Sequence, residues 1–242
     1  MRARRISWLH AAIAVSVAAH VLGSPAAAGR DAKAIRLALA PDLPAEAAAG
    51  ARFGLDEAAH TARVLGVRVE RADAGREPGR VAGQVCWRPA CRALPGVPVM
   101  ILAPAASGRS DACSFFVAPL ESDRRDRLAG WRAGRQPPAD SRLSEWHASL
   151  GRFGAAELNE RYLRATGRGM SAEAWRGWFA VKVLVESALR LRRDGEACAA
   201  IGAGRFDGHK GRALTFDPRT GILRQPLYVV AGDSVVDEIH PR

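Results

Sequence analysis

The sequence IRLALAP at residues 35–41 is followed by an alanine-rich segment and then by VRVER at residues 67–71. The first run is apolar and ends at a proline, and the second alternates, so both are predicted strands. Between them, Pro44 opens a helix with apolar residues spaced three or four apart, and Gly66 ends it. A strand, a helix and a strand in so short a segment predict two parallel strands joined by a crossover helix.

Three more strands are predicted at residues 81–87, 98–103 and 113–118. The last two contain the continuous apolar runs VMIL and FFV, which are typical of strands buried on both faces of a sheet. Residues 29–131 are therefore predicted to form an N-terminal α/β lobe.

Residues 132–141 are rich in proline and glycine and are predicted to be a linker. Beyond it, residues 142–242 are predicted to form a reduced lobe of helices with C-terminal strands. Ser171 is the predicted N-cap of a long helix, with Met170 and Trp175 placed as a hydrophobic staple. After Gly211 the apolar period changes to two, which predicts a strand meander.

Residues 1–28 have the pattern of a secretory signal peptide, with arginines, an apolar stretch and three small residues before the expected cleavage between Ala28 and Gly29. A retained membrane anchor is the alternative, but the apolar run is short for a span. The Arg4–Arg5 pair leaves Sec and twin-arginine export both open. We expect a periplasmic protein that is soluble after cleavage.

The four cysteines are Cys86, Cys91, Cys113 and Cys198. An even number in an oxidising compartment favours disulfides. Cys86 and Cys91 are close enough in sequence to close a small loop, which would leave Cys113 with Cys198. One bridge with two buried thiols is the alternative, and the connectivity stays open here. The histidines do not cluster with the cysteines, so no metal site is predicted.

The chain has 242 residues and a net charge of +11. Only three of its 36 basic residues are lysine, which indicates a compositional bias, and the basic residues are scattered. Together with export, this argues against a nucleic-acid partner. No nucleotide-binding loop, nucleophile elbow or zinc-protease motif is present, so neither catalysis nor a cofactor is predicted.

Two polar segments near the C-terminus are predicted to be turns. Residues 207–211 (DGHKG) read as a tight turn, with a functional His209–Lys210 pair as the alternative. Residues 217–221 (DPRTG) lack the acid spacing of a calcium loop and also read as a turn. Acidic residues at 121–126 are predicted to lie on a solvated helix face.

Several segments resemble the type I periplasmic substrate-binding proteins of ABC transporters. The most specific is FDGHKGRALTFDPRTGILRQPLYVV at residues 206–230, which is similar to the final segment of the branched-chain-amino-acid-type proteins encoded with PQQ-dependent alcohol dehydrogenase systems. Residues 50–66, 110–119, 158–164 and 175–182 resemble the first helix, a cysteine-containing strand region and the late helices of that group.

The chain departs from this group in its length. Members normally have two full Rossmann-like lobes around a cleft, whereas only about 40 residues separate position 119 from position 158 here. The resemblance therefore implies a periplasmic-binding-protein-like α/β fold with one Rossmann-like parallel-sheet lobe and a reduced second lobe of helices and closing strands.

The resemblance also implies where a ligand would bind. In this superfamily, loops at the C-terminal ends of the first lobe's strands hold the ligand, as is general for open α/β sheets. The corresponding positions here are Ala105, Ala106, Ser107, Ser110, Pro119, Glu121 and Ser122. Ser107 and Ser110 are candidate hydrogen-bond donors to a carboxylate, and ordinary loop serines are the alternative.

Two functions follow from the resemblance, neither of them enzymatic. The first is the periplasmic solute-binding component of an ABC-type importer linked to PQQ-dependent alcohol oxidation, with a small-molecule ligand and an ABC permease as partners. The alternative is a non-transport accessory protein that docks to a periplasmic PQQ dehydrogenase or cytochrome.

Export predicts that the mature protein starts at Gly29. Intact-mass measurement of the protein recovered from the periplasm should give the mass of residues 29–242. A mass that includes the first 28 residues would contradict the signal-peptide interpretation.

Overall fold

The computed structural model of the chain describes residues 34–72, 81–88, 94–104, 106–108, 111–191 and 196–241. All of these described residues fall into one compact unit. The signal segment, with Ala28 and Gly29, lies outside the described residues. The helices are α1 (Ala45–Val64), α2 (Glu121–Arg132), α3 (Ala155–Thr166), α4 (Ala172–Arg190) and α5 (Ala197–Ala203). The strands are β1 (Ala34–Leu39), β2 (Arg68–Ala72), β3 (Gly83–Cys86), β4 (Val99–Ile101), β5 (Ser114–Phe116), β6 (Arg142–Ser144), β7 (Phe206–Asp207), β8 (Ala213–Phe216), β9 (Leu223–Arg224), β10 (Leu227–Ala231) and β11 (Ser234–Ile239).

The five N-terminal strands form one parallel sheet in the order β2-β1-β3-β4-β5. The predicted β-α-β unit is confirmed, with α1 as the crossover between β1 and β2. The strands predicted at residues 81–87, 98–103 and 113–118 are confirmed with shorter bounds. Every residue of β4 is buried, and so are both phenylalanines of β5, as the apolar runs of these two strands indicated. The residues of β3 are buried as well.

One face of this sheet is covered by α1 and α4, which pack closely against each other. A Cβ on Gly50 would overlap the carbonyl group of Ala174, and a Cβ on Gly177 would overlap that of Ala47. The two helices therefore approach backbone to backbone, which only glycine permits at these positions.

The N-terminus of α4 forms as its sequence predicts. The Ser171 side chain caps the helix by accepting a hydrogen bond from the Ala174 N–H at 3.1 Å. Met170 and Trp175 are both buried, where a hydrophobic staple places them. Trp175 and Trp178 belong to the core, as their helical spacing indicated.

The strands of the C-terminal part divide between two antiparallel sheets, β11-β10-β6 and β7-β8-β9. The predicted meander is thus split, because β10 pairs with β6 as well as with β11. The predicted turn at residues 217–221 is present: Asp217 accepts backbone hydrogen bonds from Arg219 and Thr220. The linker and lobe boundaries at 132–141 stay a prediction. Of the elements beyond them, α4 lies against β1 and β3 of the first sheet.

A disulfide joins Cys113 to Cys198, with the Cα atoms 4.9 Å apart. It ties the segment before β5 to α5, and this predicted pairing is confirmed. Cys86 is also disulfide-bonded, and Cys91 lies outside the described residues. Among the described helices, none is long and apolar enough to cross a membrane.

The helix crossing predicts the effect of adding a single methyl group. Gly50→Ala should lower the free energy of unfolding by about 2–3 kcal/mol, because overpacking at a backbone contact forces the helices apart. Gly202→Ala on α5 is the matched control, since its Cβ would meet only Phe115 at 4.0 Å. We expect that control to be neutral or slightly stabilising. Urea unfolding compares the two variants, and equal midpoints would contradict the close crossing.

Candidate functional site

The C-terminal ends of β3, β4 and β5 form the edge at which open α/β sheets bind ligands. The ladder extends past the strand ends, since Leu102 N–H donates to Cys86 O at 3.0 Å and Ala103 N–H donates to Trp87 O at 2.8 Å. Trp87 is half-buried at this edge. The backbone is thus held in register up to the loops that follow.

The loop after β4 contains four of the predicted ligand-binding residues. Ala106 and Ser107 are exposed, whereas Ala105 and Ser110 lie outside the described residues. Gly108 lies against Thr220, where a Cβ would come within 2.8 Å of the threonine Cβ. The turn at 217–221 therefore supports this loop, and Ser107 is accessible to a solute.

The other three predicted residues follow β5. Pro119 is buried, and Glu121 and Ser122 are exposed in the first turn of α2. Among the described residues, we find no hydrogen bond that joins Ser107 to Glu121 or Ser122. The structure thus places the two groups after neighbouring strands, and their role in binding stays a prediction.

A buried charge cluster lies behind this edge, and the sequence analysis did not predict it. We call Arg124, Glu145, Arg176, Lys210 and Gln225 the edge cluster. Glu145, directly after β6, is fully buried. Its carboxylate accepts a hydrogen bond from Arg124 at 3.0 Å and lies 3.9 Å from the Nε of Arg176. Arg124 also donates to the carbonyl of Leu143 at 2.9 Å.

Arg176 connects α4 to the end of β4. Its guanidinium donates to the carbonyl of Leu102 at 2.6 Å and lies 5.6 Å from the centre of the Trp87 ring. The side chain of Arg176 is 8% exposed, and its buried Nε has no hydrogen-bond acceptor. Arg176 therefore places a positive charge against the ring of the half-buried Trp87 at the edge.

Lys210 enters the cluster from the predicted turn at 207–211. Its ammonium donates to Gln225 Oε1 at 2.6 Å and to the carbonyl of Pro226 at 3.3 Å. It also lies 4.0 Å from the centre of the Trp175 ring. Gln225 in turn donates to the carbonyl of Val117 at 2.6 Å, at the end of β5. The turn was predicted correctly, but the burial of Lys210 was not.

The electrostatics of the cluster follow from burial and from these contacts. Burial alone would raise the pKa of Glu145, but Arg176, Arg124 and Lys210 together hold that pKa below its ordinary value. Burial lowers the pKa of Lys210 to about 7, although Glu145 opposes the shift. Two arginines and the partly protonated Lys210 thus surround Glu145, and the cluster keeps an excess of positive charge at neutral pH.

The arrangement can offer hydrogen bonds and a positive potential to a solute. The described part of the chain contains no group of three or more His, Cys, Asp or Glu residues placed to hold a metal ion. The exposed loop residues can offer hydrogen bonds to a solute. The cluster behind them fixes the backbone and supplies a positive potential.

No protein-family model matches the chain. No curated protein matches it either. Solved structures do match, however, over 86% of this chain in each of three cases. A branched-chain amino acid ABC transporter protein from Rhodopseudomonas palustris has a TM-score of 0.65 at 11% identity, over 96% of its own length. A solute-binding protein from R. palustris in complex with 4-hydroxybenzoate has a TM-score of 0.64 at 9% identity, over 98%. A substrate-binding protein from Desulfitobacterium hafniense in complex with Leu has a TM-score of 0.56 at 12% identity, over 99%.

The fold is that of ABC-transporter substrate-binding proteins. The predicted periplasmic-binding-protein-like α/β class, with its parallel-sheet lobe, is therefore confirmed. At these identities the likeness concerns the fold, and the ligands named above belong to those proteins.

Lys210 predicts a specific pH dependence of stability. An unfolded lysine keeps its proton up to about pH 10.5, whereas the folded Lys210 loses it near pH 7. Between these values the unfolded state binds more protons, so stability rises with pH, by at most about 1.4 kcal/mol per pH unit. Below pH 7 the group is protonated in both states and contributes no slope.

Lys210→Met should remove this part of the slope between pH 7 and 9.5. Lys182→Met is the matched control, because Lys182 is 26% exposed in its pair with Glu186. Urea unfolding at several pH values measures both variants against the wild type. Parallel stability curves for Lys210→Met and the wild type would contradict a depressed lysine pKa.

Proposed function

We propose that this protein is a periplasmic binding protein for a small organic anion. The observation that carries the proposal is the sheet edge, where exposed loop residues stand in front of a buried cluster with more cations than carboxylates. The fold supports it, because substrate-binding proteins of ABC transporters share this architecture. The proposed role is non-catalytic, since the described residues of the edge bring together no nucleophile and base.

The charge of the cluster favours a carboxylate as the recognised group. Arg124, Arg176 and Lys210 face one internal carboxylate, that of Glu145. A ligand carboxylate at the edge would gain from the remaining positive potential, which the low-dielectric surroundings screen less than bulk water does. Leucine and 4-hydroxybenzoate, named with two of the solved structures, both carry a carboxylate.

The size of the second sheet limits the affinity. The sheet β11-β10-β6 has three strands, and its two pairings are the β10–β11 hairpin and the pairing of β10 with the three-residue β6. A second wall that closes over a ligand buries most of its surface, and a single wall does not. We therefore infer dissociation constants of about 1 mM or above, which correspond to roughly 4 kcal/mol.

The cellular setting is also part of the proposal. We infer delivery of the solute to an ABC permease and a link to PQQ-dependent alcohol oxidation, on the basis of the C-terminal segment at residues 206–230. The small second sheet favours the alternative in which the fold serves as a docking surface for a PQQ dehydrogenase or cytochrome.

Calorimetric titration with 4-hydroxybenzoate tests the proposal, with 4-hydroxybenzyl alcohol as the uncharged analogue. We expect weak, saturable binding of the carboxylate only, and weaker binding at high salt because screening reduces the potential. Ser107→Ala should weaken binding several-fold, whereas Ser234→Ala, at an exposed position on β11, should leave it unchanged.

Equal binding of the uncharged analogue would contradict recognition of an anion. Micromolar binding would contradict the single-wall interpretation and would favour ordinary transport. If no carboxylate binds and a dehydrogenase or cytochrome co-purifies with the protein, the accessory role replaces the solute-binding role.

A further inference from the structure

A cavity lies in the helix layer, where α1, α3 and α4 meet the turn at residues 207–211. Its volume is about 180 Å³, enough for roughly six water molecules at about 30 Å³ each. None of its lining residues belongs to the edge cluster or to the predicted ligand loops. We call this cavity the helix-layer pocket.

Trp178 is the centre of the helix-layer pocket. Its indole N–H donates to Glu57 Oε2 at 2.8 Å, and its ring stacks on that of His209 with the centroids 5.5 Å apart. Ala58 and Leu189 add apolar surface beside it. Because Trp178 is only 3% exposed, the pocket offers a mainly aliphatic wall to the apolar part of a solute, with the indole ring beneath it.

Two ion pairs flank this apolar wall. Arg161 on α3 donates to Glu57 on α1 at 2.6 Å, and Lys182 pairs with Glu186 along α4. All four side chains are between 26% and 37% exposed. The pocket thus presents a carboxylate and a cation at each of two places, and solvent reaches both.

The backbone of His209 is held in an uncommon conformation at this pocket. Its φ of +56° lies in the left-handed region, which non-glycine residues occupy rarely. Asp207 Oδ1 accepts the His209 N–H at 2.8 Å, and a Cβ on Gly154 would come within 2.7 Å of His209 Nδ1. Such conformations persist where neighbouring groups fix them, and they concentrate at ligand sites.

We propose that the helix-layer pocket binds a small zwitterion with an apolar body. A simple anion would compete with Glu57 for Arg161, and a simple cation would compete with Arg161 for Glu57, so either would leave one member of that ion pair without its partner. A zwitterion can interact with both members at once, while its apolar body packs on Ala58 and Leu189 above Trp178. This inference is independent of the anion site at the sheet edge.

The test uses three probes that share one five-membered ring: L-proline, cyclopentanecarboxylate and pyrrolidine. The readout is the indole N–H signal of Trp178 in nitrogen-15 NMR spectra of the mature protein, assigned by its loss in Trp178→Phe. We expect L-proline to shift this signal saturably. The anion and the amine should need at least about tenfold higher concentrations for the same shift.

Two variants locate the binding. Ala58→Phe fills the pocket and should abolish the shift, whereas His60→Phe adds the same ring at an exposed position on α1 and should not. His209→Asn keeps a residue that tolerates the left-handed backbone but removes the stacked ring, and it should weaken the response several-fold. Thermal unfolding of each variant verifies that the fold is retained.

Three outcomes overturn the proposal: no shift of Trp178, equal shifts from all three probes, or a shift that survives Ala58→Phe. If L-proline instead moves the indole signal of Trp87, binding occurs at the sheet edge, and the helix-layer assignment is wrong while the edge site stands. If 4-hydroxybenzoate fails to bind at the edge but L-proline shifts Trp178, only the proposed anion site fails.

Discussion

The close crossing of α1 and α4 is the contact on which the rest of the structure depends. Gly50 and Gly177 let the two backbones touch, and α4 then lies flat enough on the sheet for Leu184 to occupy the space that a side chain on Gly83 would fill. The same helix consequently directs Arg176 to the sheet edge and places the buried Trp178 beneath the helix-layer pocket. A wider crossing would misplace both residues, because they project from fixed positions on a single helix.

The burial of Glu145 imposes the second constraint. A fully buried carboxylate is tolerated only if cations and hydrogen bonds compensate for its lost hydration. Its partners come from α2, α4 and the turn at 207–211, so the compensation ties the reduced sheet to the parallel sheet. The resulting edge is preformed and stiff. Under the proposed function, such an edge would recognise a solute without domain closure and would forgo the affinity that closure adds.

The sequence predicted the local structure well and the edge cluster not at all. The helical spacing of apolar residues, the Ser171 cap and the apolar strands each depend on residues that are close together in the sequence. They could therefore be recognised from the sequence alone. The edge cluster, by contrast, combines residues from distant segments, namely Glu145, Arg176 and Lys210. In the sequence, a single charged residue in an amphipathic pattern is typical of a solvated face. Arg127 is the clearest case. It follows the acidic run predicted to be solvated, yet it is buried and bonded to Asp123 and to the carbonyl of Gln225. The loops proposed to hold a ligand could be located because chain order places them after strands, whereas the packing of Gly108 depends on the returning turn at 217–221.

The turn at 207–211 joins the two polar regions of the molecule. The side chain of His209, whose backbone is left-handed, stacks on Trp178. The side chain of the next residue, Lys210, points inward and donates a hydrogen bond to Gln225. Gly211 is also left-handed, and a Cβ there would come within 2.6 Å of the Phe153 ring, so the turn has little freedom to shift. Because His209 and Lys210 are each held by their own contacts, the turn connects the helix-layer pocket to the sheet edge through two fixed side chains. A substrate-binding fold that lacks a large second sheet can then hold its polar groups in place by short, well-packed turns instead of by closing two lobes.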